Sequence, residues 1–393
     1  MYLTKEEELI YDGEFGWAQQ KCMTILVRLG ELFGGTRLIP IDSAHVSGVS
    51  YKTLGDAPIE FLKALAESDG KARVETTLNP QSLDPEYLGK LLKENIVEKQ
   101  LTILKQFERM GFKQSLTCTP YYLREPKRNT HLAWAESSAV VYANSVLGAW
   151  TNREGGPSAL AAAIIGKTPN YGIHQPKNRV PSVLVDVKTP PRNETEFGAL
   201  GILLGEILKD EIPKIQGIRG ATSDQLKQLG AALASTGMVN MFCRGHRGLR
   251  GETQATQRIT VEAREMAKTI EKLSVTSISK PDLVFIGCPH CSLDEIKQIA
   301  RLAEGKRVKA DTEFWVCTSR YIRQIARNHV KKIEKTGGHV LDGVCTIVSY
   351  PEMLGVKTIM TNSAKTAYYA PTLNKTAVIL APLKECVRTA VGG

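Results

Sequence analysis

No apolar run in this chain approaches the roughly 20 residues needed to cross a bilayer. The opening stretch, Met-Tyr-Leu-Thr-Lys-Glu-Glu-Glu, has no apolar core of a secretion signal. A cytoplasmic protein is therefore expected. Eight cysteines in 393 residues are too sparse for a disulfide scaffold and suit a reducing compartment. No Gly-x-Gly-x-x-Gly follows a strand pattern and there is no Walker A sequence, so the usual nucleotide loops have no support. Gly-x-Ser-x-Gly is absent, as is the second close Cys-x-x-Cys pair that a zinc ribbon needs. There is no internal repeat and no long disordered tract.

What remains is ordinary globular material, 42% hydrophobic and 23% charged, long enough for two or more domains. The net charge of +10 favours anionic partners. Its positive charges are spread along the whole chain. A substrate bearing phosphate and carboxylate, a nucleic acid and a merely solvated basic surface all fit that distribution.

Helical and strand patterns alternate almost throughout. Helices are expected over 17–33, 57–66, 84–110, 196–208, 223–235, 261–273 and 293–303, and strands over 37–41, 72–77, 112–117, 180–187, 215–218, 238–242, 283–286, 357–360 and 377–380. Thr4 with Glu7, and Ser292 with Glu295, read as capping boxes. Repeated βα units predict an α/β protein, layered, with mostly parallel sheets in several subdomains around a central cleft. A boundary is placed near Pro190, giving regions 1–190 and 191–393. The stretch 131–156, poor in charge and rich in Ser, Ala and Asn, reads as a helix small on every face; it is either tight helix packing or, the favoured reading, the floor of a site. Arg153 and Glu154 need partners if that loop is enclosed.

Three distant cysteines sit beside chain-bending or close-approach residues: Cys118 before Thr-Pro, Cys288 between Gly287 and Pro289, and Cys345 after Gly-Val. The first two are expected just past strand ends, where an open α/β sheet presents ligands to a crevice. Thiolates converging there suit a metal or iron–sulfur site open on one side. Cys22, Cys317 and Cys386 read as packing.

Cys288 and Cys291 form a Cys-x-x-Cys after a strand, which also resembles a dithiol redox motif. The Ser292 cap starts the next helix after Cys291 and leaves Cys288 on the loop, free to ligate. Arg244-Gly, Arg247-Gly and Arg250-Gly recur at three-residue spacing around His246. Such a run suits phosphate or RNA binding, or a surface loop. Gly48, Val49 and Ser50 follow a strand and His45, and offer either backbone N–H groups to an anion or a plain turn. Asn79 and Pro80 end another strand.

Taken in order, Thr117-Cys118-Thr-Pro-Tyr-Tyr, Trp134-Ala-Glu-Ser-Ser-Ala, Ala143-Asn-Ser-Val-Leu-Gly, Thr151-Asn-Arg-Glu-Gly-Gly, Gly287-Cys-Pro-His and Thr361-Asn-Ser-Ala-Lys resemble the aconitase X group of the aconitase superfamily, from Gly48 to Cys386. The resemblance implies an aconitase-like body without the swivelling domain. It implies a hydro-lyase that dehydrates (R)-mevalonate 5-phosphate to trans-anhydromevalonate 5-phosphate in isoprenoid synthesis. A same-family dehydratase of another hydroxy acid, such as cis-3-hydroxyproline, is the alternative. An RNA-binding protein and a thiol oxidoreductase at Cys288 and Cys291 are more remote.

The implied cofactor is an iron–sulfur cluster, 4Fe-4S in the active form, held by Cys118, Cys288 and Cys345, with Cys291 a bystander. Implied substrate contacts are Gly48, Val49, Ser50, Asn79, Pro80, Glu136, Ser137 and Lys365, of which Glu136, Ser137 and Lys365 are catalytic. The implied partner is a small subunit supplying the mobile domain and a serine base. One stretch departs from the family pattern: relatives resemble Phe-His-x-x-Gly-x-Thr-Pro-Glu-Ala where this chain reads Phe242-Cys-Arg-Gly-His-Arg-Gly. No catalytic role is assigned there to Cys243, His246 or the arginines.

Overall fold

The computed structural model describes residues 1–84, 86–245, 255, 257–275 and 280–392. The chain forms two compact units, Met1–Arg179 and Val180–Gly393. The division precedes Pro190, so the strand expected before that proline opens the second unit.

The first unit contains Leu38–Pro40 (β1), Ser43–Val46 (β2), Glu75–Leu78 (β3), Leu132–Trp134 (β4) and Lys167–Pro169 (β5). β3, β2 and β4 form a parallel sheet in that order, with Val46 opposite Leu78 and His45 opposite Trp134. β1 and β5 pair antiparallel. Helix Gly156–Ile165 is apolar on nearly every face and is accordingly buried along most of its length, among residues of Trp17–Leu32 and β2. Its start is bound to Gly156: a Cβ there would meet the Ser47 carbonyl oxygen at 2.8 Å, so only glycine lets the loop after β2 lie against the helix. The stretch 131–156, expected as a helix, instead opens with strand β4, whose buried Leu-Ala-Trp pairs with β2, before the short helix Ser137–Tyr142.

The expected strand at 112–117 does not form. Within it Thr117 donates to the Leu78 carbonyl at 2.8 Å, one bond instead of a ladder. The polar Lys113-Gln114-Ser115 interrupts the apolar pattern a strand needs.

The second unit carries two parallel sheets. Val183–Val187 (β6), Pro213–Gln216 (β7), Cys243–Arg244 (β8) and Gln257–Val261 (β9) run in the order β8-β7-β6-β9. The strand expected at 238–242 begins later. Val239, Met241 and Phe242 are buried, but only Cys243 and Arg244 pair with β7. The second sheet takes Leu283–Ile286 (β10), Glu313–Thr318 (β12), His339–Asp342 (β13), Thr358–Thr361 (β14) and Ala377–Leu380 (β15) in the order β13-β12-β10-β14-β15. Arg307–Val308 (β11) pairs antiparallel with Val391–Gly392 (β16). Leu-Val-Phe-Ile of β10 is buried on both faces, as a central parallel strand requires. From β10 the chain moves outward to β12 and β13 and then returns to β14 on the other side of β10. That reversal is the switch point at which open α/β sheets bind ligands.

Candidate active site

Each unit gathers its expected site residues at the C-terminal ends of a parallel sheet. In the first unit the exits of β3 and β4 stay tied to β2: Asn79 N donates to Val46 O and Ala135 N to His45 O, both at 2.9 Å. This brings Asn79 and Glu136 to His45. The ring contacts Thr77 Oγ1 through Nδ1 at 2.7 Å and Asn79 Oδ1 through Nε2 at 3.3 Å, and Asn79 Nδ2 donates to Glu136 Oε2 at 3.1 Å. The Asn79 oxygen only accepts, so Nε2 carries the proton and Nδ1 accepts from the threonine hydroxyl.

His45 is completely buried. Burial pushes its pKa down to about 4 against the upward pull of Glu136, so it is neutral at pH 7. The other Glu136 oxygen accepts from Ser138 N and Oγ at 3.3 and 2.9 Å. Glu136 thus caps the helix that Ser137 begins.

Gly48, Val49, Ser50 and Pro80 surround this exit, with Val49, Ser50 and Pro80 buried. The residue that holds them is Gln100, which carried no signal in the sequence. Buried on helix Glu94–Arg109, it donates to Val49 O at 2.9 Å and accepts from Tyr51 N at 3.0 Å and Ser82 Oγ at 2.6 Å. Cys118 is buried beside the exit of β3, next to the Thr117–Leu78 bond. Glu154 finds its partners inside the fold. It accepts from Ser158 Oγ at 2.5 Å and Thr168 Oγ1 at 3.0 Å, and burial raises its pKa, so it ties helix to strand.

In the second unit Cys288 follows β10, Cys345 follows β13 and Lys365 follows β14. Gly287 has φ +126°, and a Cβ there would lie 2.3 Å from Cys317 O. The turn into Cys288 therefore has to be glycine. Lys365 stands in the first turn of helix Ala364–Leu373, where a polar loop was expected; Ser363 caps that helix by accepting from Thr366 N.

The thiol of Cys345 is pushed up to about 12 by burial and by neighbouring Cys288, while the N–H groups of Val348 and Ile347 and the charge of Lys365 act in the opposite direction. Neither cysteine is in a disulfide. Asn362, directly after β14, is buried with neither side-chain polar atom hydrogen-bonded. Paired thiols that repel one another as thiolates, N–H donors aimed at one sulfur, and a buried amide with unused capacity fit a soft, thiolate-bound metal centre. Among the described residues no three His, Cys, Asp or Glu side chains come together as a metal-holding group.

The remaining cysteines are packed. Cys22 is buried in helix Trp17–Leu32 and its thiol is pushed up to about 12. Cys386 and Cys317 are buried as well. Burial first, then Glu295, raises the Cys291 thiol far above the usual range. That is the reverse of what a dithiol nucleophile needs. Of the Arg-Gly run, Arg244 is exposed at the end of β8, whereas His246, Arg247 and Arg250 lie outside the described residues. No helix among the described residues is long and apolar enough to cross a membrane.

Models of the aconitase X first, second and third domains match residues 1–177, 181–271 and 281–392. The chain is 44% identical over 406 residues to the phosphomevalonate dehydratase large subunit of Methanocaldococcus jannaschii, covering 99% of this chain and 100% of that one. It is 31% identical over 404 residues to the cis-3-hydroxy-L-proline dehydratase of Pseudomonas aeruginosa, covering 98% of this chain and 69% of that protein. The crystal structure of Thermococcus kodakaraensis aconitase X in its holo-form matches with a TM-score of 0.91 at 41% identity, covering 99% of this chain and 100% of that one.

Proposed function

Because this chain belongs to the aconitase X family, we propose that it is the large subunit of a dehydratase that converts (R)-mevalonate 5-phosphate to trans-anhydromevalonate 5-phosphate. The observation that carries the chemistry is the grouping of Cys345 with Cys288 and Lys365 at the exits of one parallel sheet. Full-length identity to phosphomevalonate dehydratase large subunits, higher than to the hydroxyproline enzyme, carries the choice of substrate.

Cys288 and Cys345, with Cys118 as the third thiolate, would hold an iron–sulfur cluster. When bound, that group supplies a Lewis acid for the departing hydroxyl, which alone is a very poor leaving group. Lys365, at the start of its helix, holds an anionic group of the substrate. Glu136 accepts hydrogen bonds at both oxygens from Asn79 and Ser138; these fix its position, and it is assigned to proton handling or to an indirect contact with the metal group. Ser137, the 48–50 loop, Asn79 and Pro80 are assigned to substrate contact. In the reaction a base removes a proton from the carbon beside the carboxylate. That C–H pair becomes the carbon–carbon double bond, and the neighbouring C–O bond breaks to release hydroxide, which takes up one proton to balance the one removed, so that the sum is the loss of one water.

The partner is a small subunit, in keeping with the name of the relatives. It supplies the mobile domain and a serine base, closes the site in the cytoplasm and excludes water from it.

The test is anaerobic turnover of mevalonate 5-phosphate and of cis-3-hydroxy-L-proline by the iron-loaded chain, with and without the candidate small subunit. Dehydration of the phosphate only, and only with the partner, is expected. Turnover of hydroxyproline in preference would replace the substrate. Full turnover by the single chain would remove the two-subunit reading.

A further inference from the structure

The loop 288–291 is fastened at each of three carbonyls by a different side chain of the second unit. Gln228 Nε2 donates to Cys288 O at 3.2 Å, Lys227 Nζ to His290 O at 3.3 Å, and Thr318 Oγ1 to Cys291 O at 2.8 Å. Gln228 and Lys227 come from helix Ser223–Thr236, and Thr318 ends β12. Lys227 is 1% exposed, and its ammonium is paired with Asp224 at 3.1 Å and with Glu295. Burying a lysine is costly unless its charge is paired and its donors are used. Here one of those donors goes to the backbone of the cysteine loop.

His290 completes the arrangement. It is completely buried, and its Nε2 lies 2.8 Å from the carbonyl of Val344. A carbonyl only accepts, so Nε2 carries the proton and donates. Val344 is the residue before Cys345. The imidazole therefore spans from the loop of Cys288 to the loop of Cys345, with Lys227 fixing its own backbone from below.

We infer that His290 is a positioning residue that sets the spacing of the Cys288 and Cys345 sulfurs through the Val344 carbonyl. It acts through the two thiols, as outer partners orient the ligands of metal sites. The inference rests on the reading of these thiols as iron–sulfur ligands, but the spacing itself is testable without iron.

The variants are His290→Ala, His290→Gln, whose amide nitrogen falls near the place of Nε2, and His290→Asn, whose amide stops short of it. Two quantities are measured after circular dichroism shows a native fold. The first is the rate at which a chelator strips iron from the loaded protein. The second, on the iron-free chain in a Cys291→Ser background, is the affinity for phenylarsine oxide, which bridges two thiols only when they are close. His290→Ala is expected to lose iron at least ten-fold faster and to bind the arsenical at least ten-fold more weakly, with His290→Gln near wild type and His290→Asn near His290→Ala.

Equal iron loss and equal arsenical affinity across the series would overturn the inference. If His290→Ala does not fold, the Gln and Asn variants decide it by the same comparison. If the wild type takes up no iron yet the arsenical affinities separate as stated, the positioning role stands and the iron–sulfur reading falls.

Discussion

The two units present polar groups at parallel strand ends in opposite electrostatic conditions. In the first, Thr77, His45, Asn79, Glu136 and Ser138 form one chain of hydrogen bonds, each donor matched to an acceptor. In the second, two thiols of like prospective charge stand together, and the framework around them, not a bond between them, keeps them there. The first arrangement is complete as the protein folds. The second is held as protonated thiols, with burial and the neighbouring sulfur opposing ionisation of Cys345.

The sharpest way to break this contrast is to remove one side of the thiol pair. Cys288→Ser or Cys345→Ser is expected to strip most of the iron and to lower turnover at least 100-fold, with Cys118→Ser behaving alike, while Cys291→Ser and Cys22→Ser keep their iron. Metal analysis of the anaerobically loaded variants checks this, and iron retained by Cys345→Ser but lost by Cys291→Ser would reverse the ligand assignment. Next comes Lys365→Ala, expected to cut turnover by about 100-fold, an effect of about 2.7 kcal/mol, with the cluster absorption intact. Unchanged kinetics in that variant would take Lys365 out of the site.

On the other side of the comparison, His45 makes the first unit sensitive to acid. Its pKa falls from 6.5 to about 4 on folding, so between those values the unfolded chain binds more protons than the native one, and stability declines as pH falls through that window. The full effect is roughly 3 kcal/mol. Chemical denaturation at pH 7 and pH 4.5 should show this decline in the wild type and a shallower one in His45→Gln. An identical decline in both would mean that His45 is charged or solvated in the native state.

The smallest effect concerns Gln100→Leu, which leaves Val49 O and Tyr51 N without their side-chain partner at a cost of about 1–3 kcal/mol. Iron content should not change, and KM should rise more than kcat falls. Loss of iron in this variant would place the 48–50 loop in the wrong half of the contrast.

Much of this was legible in the chain. Helix Leu293–Ala303 and its Ser292–Glu295 capping box stand where local pattern puts them, and so do β10 and the burial of Cys22. Local pattern works there because a cap and an apolar period are properties of neighbours in sequence. Gln100, Lys227, Gln228 and His290 were illegible for the converse reason. Each makes its decisive bond to a carbonyl many residues away, and a glutamine or lysine on a helix carries no mark of which carbonyl it will meet. The strand expected at 112–117 failed for a local reason instead: the polar run Lys113-Gln114-Ser115 breaks the apolar pattern that the strand reading relied on. β9 was missed because Gln257-Arg258 reads as polar surface; its pairing with β6 is a tertiary fact.

The placement of Cys288, Cys345 and Lys365 on the ends of separate parallel strands also fixes a sequence of events. Parallel neighbours need long crossovers before they can pair, so such sheets assemble late and through contacts distant in the chain. Cys288 and Cys345 do not become neighbours until β10, β12 and β13 have aligned. On the proposed iron–sulfur reading, metal uptake follows the folding of this sheet. In refolding from denaturant, the sheet should return first and metal uptake should follow as a separate, slower step.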